Sequence, residues 1–173
     1  MTTRSHIRAE TEADYEGVRE VVCRAFGRED EAALVDALRS GGYARCSLVA
    51  LCDEQVVGHV LFSELPIVGQ TSPVAALALA PVAVLPNHQR QGVASRLIRQ
   101  GLEECRRQGE RIVVVLGHPS FYRRFGFSSE LATRLESPFS GNPGFMALEL
   151  VEAALAGVSG RVCYPPPFAA EPL

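Results

Sequence analysis

The chain has 173 residues, 47% apolar and 21% charged, which suits one domain with its own core and excludes a disordered chain. Seventeen Lys+Arg against twenty Asp+Glu leave a net charge of −3, so there is no whole-surface attraction to nucleic acid or to an anionic membrane. The five cysteines, Cys23, Cys46, Cys52, Cys105 and Cys163, are widely spaced and form no C-x-x-C pair; they read as buried, reduced thiols rather than a disulfide framework or a metal site.

Residues 1–18 hold no apolar core of signal-peptide length, and the longest apolar run, residues 74–85, contains Pro81 and is too short for a bilayer, so a cytoplasmic protein is expected. Residues 5–10 form a strand candidate. Thr11 then caps a helix over residues 12–26, with Val18, Val21, Val22 and Ala25 at helical spacing and Gly27 as its stop. A second helix, residues 29–39, places Ala33, Leu34, Ala37 and Leu38 on one face. The strands at 47–53 and 56–65 read as an antiparallel hairpin turning at Asp53, Glu54 and Gln55.

The run at 74–85 is apolar on both faces, as a central strand is, but Pro81 cannot donate to a sheet ladder and predicts a bulge or a parting of strands. A helix over residues 92–108 turns Val93, Ala94, Leu97, Ile98, Gly101, Leu102 and Cys105 inward, and Gly109 ends it. With the buried strand at 111–117 it completes a βαβ unit, parallel and right-handed almost by rule. A short helix opens at Pro119 and closes at Gly126; a looser strand spans 127–136, a turn-rich stretch 137–144 and a strong strand 145–151. The whole is one mixed α/β domain over residues 1–173, antiparallel in front and parallel at the centre, with a Pro-rich tail at 157–173.

The stretch from Gln89 to Ala94, "QRQGVA", carries the chemistry. A helix N-terminus holds roughly half a positive charge and favours Asp or Glu, yet this one has no acid in its first turn and places Arg90, Arg96 and Arg99 nearby. A polar, glycine-containing loop leading into such a helix aims free N–H groups at one point, where phosphate would be stabilised. The other reading is a plain turn with solvated arginines. Neither G-x-x-x-x-G-K-[ST] nor G-x-G-x-x-G occurs.

The segment "VAVLPNHQRQGVASRLI" resembles the acetyl-CoA-binding segment of GNAT-type N-acetyltransferases, whose [QR]-x-x-G-x-[GA] pattern is matched by Gln89, Gly92 and Ala94. Tyr122, Gly126 and Phe127 match the family's Tyr-x-x-x-Gly-Phe, and "VLGHPSFYRRFGF" and "FMALEL" resemble a bacterial YhbS-like subgroup. The resemblance implies a GNAT-like mixed sheet with a splayed strand pair, and a coenzyme A pyrophosphate held by the loop Gln89, Arg90, Gln91, Gly92, Val93, Ala94 and Ser95. The pantetheine arm would pair with the backbones of Val82 and Val84. Acetyl-CoA is then the co-substrate, with no metal, and a primary amine of a small molecule or protein is the acceptor; a hydroxyl acceptor or a longer acyl donor is the close variant.

By the same resemblance Tyr122 is the candidate general acid toward departing thiolate; otherwise it is a packing residue with its hydroxyl on a carbonyl. The family's frequent glutamate on the central strand is missing from "ALALAPVAV". Base candidates are His118 at the end of the parallel strand, His59 within a strand, Glu64 at a strand end, or water alone. Acceptor residues are expected in "GREDEA" and "SPFSGNPG"; Glu29, Asp30 and Glu31 either attract an amine or form a solvated helix start. A non-catalytic acyl-CoA sensor or scaffold is the rival reading. No nucleic acid or membrane partner is expected, and a homodimer is left open, as is the docking of the tail.

Overall fold

A computed structural model describes residues 4–170. In chain order the elements are β1 (His6–Ala9), α1 (Tyr15–Phe26), α2 (Asp30–Ser40), β2 (Ala44–Cys52), β3 (Gln55–Glu64), β4 (Ile67–Val68), β5 (Leu77–Val84), α3 (Val93–Arg107), β6 (Ile112–Leu116), α4 (Pro119–Tyr122), β7 (Leu135–Glu136), β8 (Phe145–Glu149) and β9 (Gly160–Val162). Six strands make the main sheet in the order β1-β2-β3-β5-β6-β8, and β5 and β6 are its parallel pair. The sheet is mixed, antiparallel in front and parallel at the centre, as expected from the sequence.

Local chemistry explains the front half. Asp14 accepts from the Thr11 N–H at 2.7 Å and from Arg8 at 2.7 and 2.9 Å, so the first helix opens as one 3₁₀ turn over Glu12–Asp14 before becoming α-helical. The Arg8 hydrogen bonds hold the Asp14 carboxyl down at about 2. Gly27 ends α1 at φ 71, as expected. The hairpin turns at Asp53 and Glu54, at φ 48 and 61, the backbone of a two-residue turn whose twist matches the flanking strands.

Helices cover both faces of the sheet. On β3, Gly58 lies under Leu97 and Val93, and Phe62 fills the space beside Gly101, so this face packs on α3. The alternate residue His59 points the other way, toward Glu10, which also pairs with Arg39 of α2 at 2.5 Å. The inward side of α2 is Glu31, Ala32, Leu34, Val35 and Leu38, and Ala33 is exposed, which corrects the expected face by one position. Only Cys46 and Cys105 are buried, with the other three thiols half-buried; Cys46 and Cys105 share a hydrogen bond that, with burial, pushes the Cys105 thiol up.

The back half departs further from expectation. Residues 127–136 supply only an isolated Ser128–Ala147 bridge and the two-residue β7. The tail is not a loose extension: β9 inserts between β4 and β7 in a second, three-stranded sheet, and Tyr164 and Phe168 pack on its apolar cluster. Among the described residues no helix is long and apolar enough to cross a membrane.

Candidate active site

The site begins where β5 and β6 part. They are paired only at Leu77–Val113 and Ala78–Val114. Beyond that point β5 follows β3, with Leu79 opposite Phe62 and Val82 opposite Val60: three steps on β5 against two on β3, so Ala80 and Pro81 carry one extra residue. β6 instead continues against β8 as far as Leu116. Pro81, lacking an N–H, sits at the divergence, where both the bulge and the parting of strands occur.

The gap is a cleft of 630 Å³ with β5 and β6 as two of its walls. Leu85 donates its N–H to Val57 O on the β3 side at 2.9 Å. Successive residues of a strand alternate the edge to which their backbone groups point, so Ala83 shares Leu85's direction while Val82 and Val84 turn theirs to the open edge. The Val84 carbonyl there accepts from the Gln89 side chain at 3.0 Å.

That hydrogen bond begins the loop. Gln89 ties it to the end of β5, and Gln91 donates to Asn87 O at 3.0 Å. Arg90 at φ 60 and Gly92 at φ 80 are both left-handed, and for a non-glycine residue such as Arg90 this stores of order 1 kcal/mol. The first helical hydrogen bond is Arg96 N–H to Gly92 O, so the amides of Val93, Ala94 and Ser95 precede it; among the described residues no acid or side-chain cap takes them up. This end of α3 can bind an anion through backbone N–H groups. Of the three arginines only Arg90 belongs to the exposed loop. Arg96 donates to Ser5 O at 2.9 Å and Ser5 Oγ at 2.5 Å, and Arg99 lies over the Phe125 ring at 5.1 Å.

Tyr122, at the end of α4, lines the same cleft. Its ring is held edge-on by Phe121 and Phe127, with centroids 5.0 and 5.8 Å away. Gly117 provides the room: a Cβ there would lie 2.3 Å from the Tyr122 ring. Among the described residues no carbonyl accepts from its hydroxyl, in contrast to the packing reading. Burial pushes its pKa up, which makes it a poorer proton donor in full but a secure hydrogen-bond donor at neutral pH.

A family model described as "Acetyltransferase (GNAT) domain" matches residues 6–129. The chain belongs to the GNAT acetyltransferase family. Among GNAT relatives, the uncharacterized N-acetyltransferase YhbS of Escherichia coli K12 is 36% identical over 160 residues, spanning 91% of this chain and 95% of that protein. YjhQ of the same organism, also an uncharacterized N-acetyltransferase, is 39% identical over 137 residues, 78% of this chain and 71% of YjhQ. The crystal structure of Escherichia coli YhbS in complex with CoA matches with a TM-score of 0.91 at 35% identity, covering 100% of this chain and 96% of that one. A Brucella melitensis GNAT acetyltransferase in complex with acetyl-CoA matches with a TM-score of 0.79 at 34% identity, over 96% and 99% of the two chains.

The GNAT cleft does not gather the three side chains expected as bases. His118 is exposed at the start of α4, where its carbonyl accepts from Phe121 and Tyr122, and its side chain is not part of the cleft wall. His59 is fully buried beside Ser47, with 2.8 Å between Ser47 Oγ and His59 Nε2; burial and then Arg39 hold its pKa down at about 3. Glu64 is paired with Arg45 away from the cleft.

The carboxylate that does line the GNAT cleft is Glu31. It is 7% exposed, not a solvated helix start, and Arg28 grips both of its oxygens, at 2.5 and 3.1 Å. Its signal was helical spacing: Glu31, Leu34, Val35 and Leu38 fall at i, i+3, i+4 and i+7, the buried stripe of α2. Phe139 from "SPFSGNPG" also lines the cleft, joined by Tyr164 and Phe168 from the tail, which sequence reasoning had not brought to the site.

Proposed function

We propose that the chain transfers an acetyl group from acetyl-CoA to a primary amine, by direct attack of the amine on the thioester. The observation that carries this reading is the open edge of β5 running directly into the uncapped start of α3. The coenzyme's pyrophosphate takes the amides and Arg90 of residues 89–95, supplying the negative charge the helix end lacks, and Gln89 and Gly92 keep the loop in shape. The pantetheine arm pairs with Val82 and Val84 as an added strand, which leads the thioester into the cleft. The complexes of YhbS with CoA and of the Brucella protein with acetyl-CoA support this choice of ligand.

In the reaction the amine nitrogen bonds to the thioester carbonyl carbon and the carbonyl electrons move onto oxygen. A backbone N–H on the open edge near Val82 stabilises that oxyanion, worth about 3 kcal/mol in comparable sites. Collapse breaks the C–S bond, the amine's proton leaves to water, and the thiolate is met by the Tyr122 hydroxyl. With a tyrosine pKa above that of a thiol, proton sharing in a hydrogen bond is favoured over full transfer. His118 is kept as a base only through an intervening water, because its side chain stands outside the cleft wall.

The test is release of free coenzyme A thiol on incubation with acetyl-CoA and a panel of amines. Turnover with at least one amine, falling about a hundredfold in Tyr122→Phe, is the expected result. Ligand binding with no turnover on any amine and no effect of Tyr122→Phe would instead fit the sensor reading. The chain contains no lysine, so acetylation of its own side-chain amines gives no background in this assay.

A further inference from the structure

The cleft is larger than an acetyl thioester requires, and its far side differs from its near side. The near walls are the backbones and small side chains of β5 and β6. The far side is built by Phe26 and Leu34 from the two N-terminal helices and by Phe139, Tyr164 and Phe168 from the back half of the chain. Among the described residues Glu31 is the only ionisable group in the lining apart from the two tyrosines, and no Arg or His joins it there. Burial pushes the Tyr164 pKa up to about 12, so its hydroxyl remains neutral at physiological pH.

We propose that Glu31 and the aromatic side chains around it form an acceptor subsite for a primary ammonium group carried on an apolar, aryl- or alkyl-type body. The proposal rests on the acetyl-CoA reading above and gives the substrate class for that same site. Arg28 uses one lone pair on each Glu31 oxygen, and a carboxylate has about four acceptor positions, so further positions are available to a ligand N–H. The Arg28 fork also fixes the plane of the carboxylate, which pre-orients it toward the cleft. The acceptor positions that Arg28 leaves open face an apolar cavity and are best satisfied by a cationic donor; an alkyl chain in the same place would leave those positions unused. Hydrophilic polyamines would strand their outer charge against Leu34 and Phe168, and anionic acceptors would meet no cation in the wall. Glu31 is assigned to binding, and the docked ammonium loses its proton to water before it attacks.

Initial rates with acetyl-CoA and 2-phenylethylamine, hexylamine and putrescine test this directly, alongside Glu31→Gln and Phe168→Ser. The wild-type protein is expected to show kcat/KM for the two apolar amines at least tenfold above putrescine. Glu31→Gln should raise KM for them about tenfold with kcat within about threefold, the size of one charge-assisted hydrogen bond. Acetyl-CoA affinity by calorimetry should be retained in that variant, which shows that it is folded; the melting temperature should fall somewhat, since glutamine keeps one acceptor for Arg28 and loses the other together with the ion pair. Phe168→Ser should narrow the preference for apolar amines. Equal or better use of putrescine, or an unchanged KM in Glu31→Gln, overturns the subsite while leaving acetyl-CoA binding intact; octanoyl-CoA outperforming acetyl-CoA with loss of amine selectivity assigns the cavity to the acyl chain and overturns it as well. Failure of the wild-type protein to bind acetyl-CoA removes both readings together.

Discussion

At the scale of single residues, the position of Tyr122 depends on what is missing at Gly117. A Cβ at 117 would meet Cε2 of Tyr122 at 2.3 Å, and that ring is fixed on its other sides by Phe121 and Phe127. Gly117→Ala is therefore expected to shift the hydroxyl and lower kcat about a hundredfold while acetyl-CoA affinity is retained. In a Tyr122→Phe background the same change should cost little more, because the two act on one group; additive losses would contradict the coupling. Tyr122, Gln89 and Gly92 were legible because each sits in a short local pattern. Glu31 was not, because an acid at a helix start has an ordinary explanation in the dipole, and only its place on the buried stripe of α2 sets it apart. His59, one of the base candidates, turned out to be a core histidine, and its surroundings were not legible, since Ser47, Glu10 and Arg39 arrive from three other segments.

At the scale of elements, α3 delivers the anion-binding loop, and its closeness to the sheet is set by Gly101. A Cβ there would fall 2.4 Å from the Phe62 ring, although alanine is the better helix former by about 1 kcal/mol. Gly101→Ala is expected to destabilise the fold by about 1–3 kcal/mol, read from the denaturant midpoint, because overpacking outweighs propensity; a gain in stability would show that α3 has room to move outward. The same balance of local and distant effects explains which elements could be read. α3 is long and strongly periodic, and its expected inward face is the observed one. Pro81 announced a break in β5, but which neighbour leaves depends on β8 holding β6, a pairing between residues far apart in sequence. β9 is three residues long among prolines and glycines, with no period of its own; it is a strand because β4 and β7 lie on either side.

At the scale of the whole molecule, stability should fall toward acid pH, and two buried groups set the direction. His59 has a folded pKa of about 3 against about 6.5 in the unfolded chain. Between those values the unfolded chain binds a proton that the native state refuses, so native stability declines as pH drops from 6.5 toward 3. Asp14, held at about 2 by Arg8, acts in the same direction below the usual carboxylate range. The unfolding free energy of the wild-type protein should lose up to about 1.4 kcal/mol per pH unit to His59 within this window, and His59→Gln should remove that slope even though it lowers stability at pH 7. An unchanged slope would mean that His59 is protonated or exposed in the native state.

Fold and cofactor come together in one claim, that the β5 edge and the start of α3 form a coenzyme A site, and calorimetric titration with acetyl-CoA tests it most directly. The wild-type protein should bind with a dissociation constant in the micromolar range, about 8 kcal/mol. Gly92→Val, which forces a β-branched residue to φ 80 where no neighbouring atom blocks its Cβ, should keep the fold by circular dichroism and lose the binding. Absence of heat with the wild-type protein, or equal affinity in Gly92→Val, would contradict the assignment.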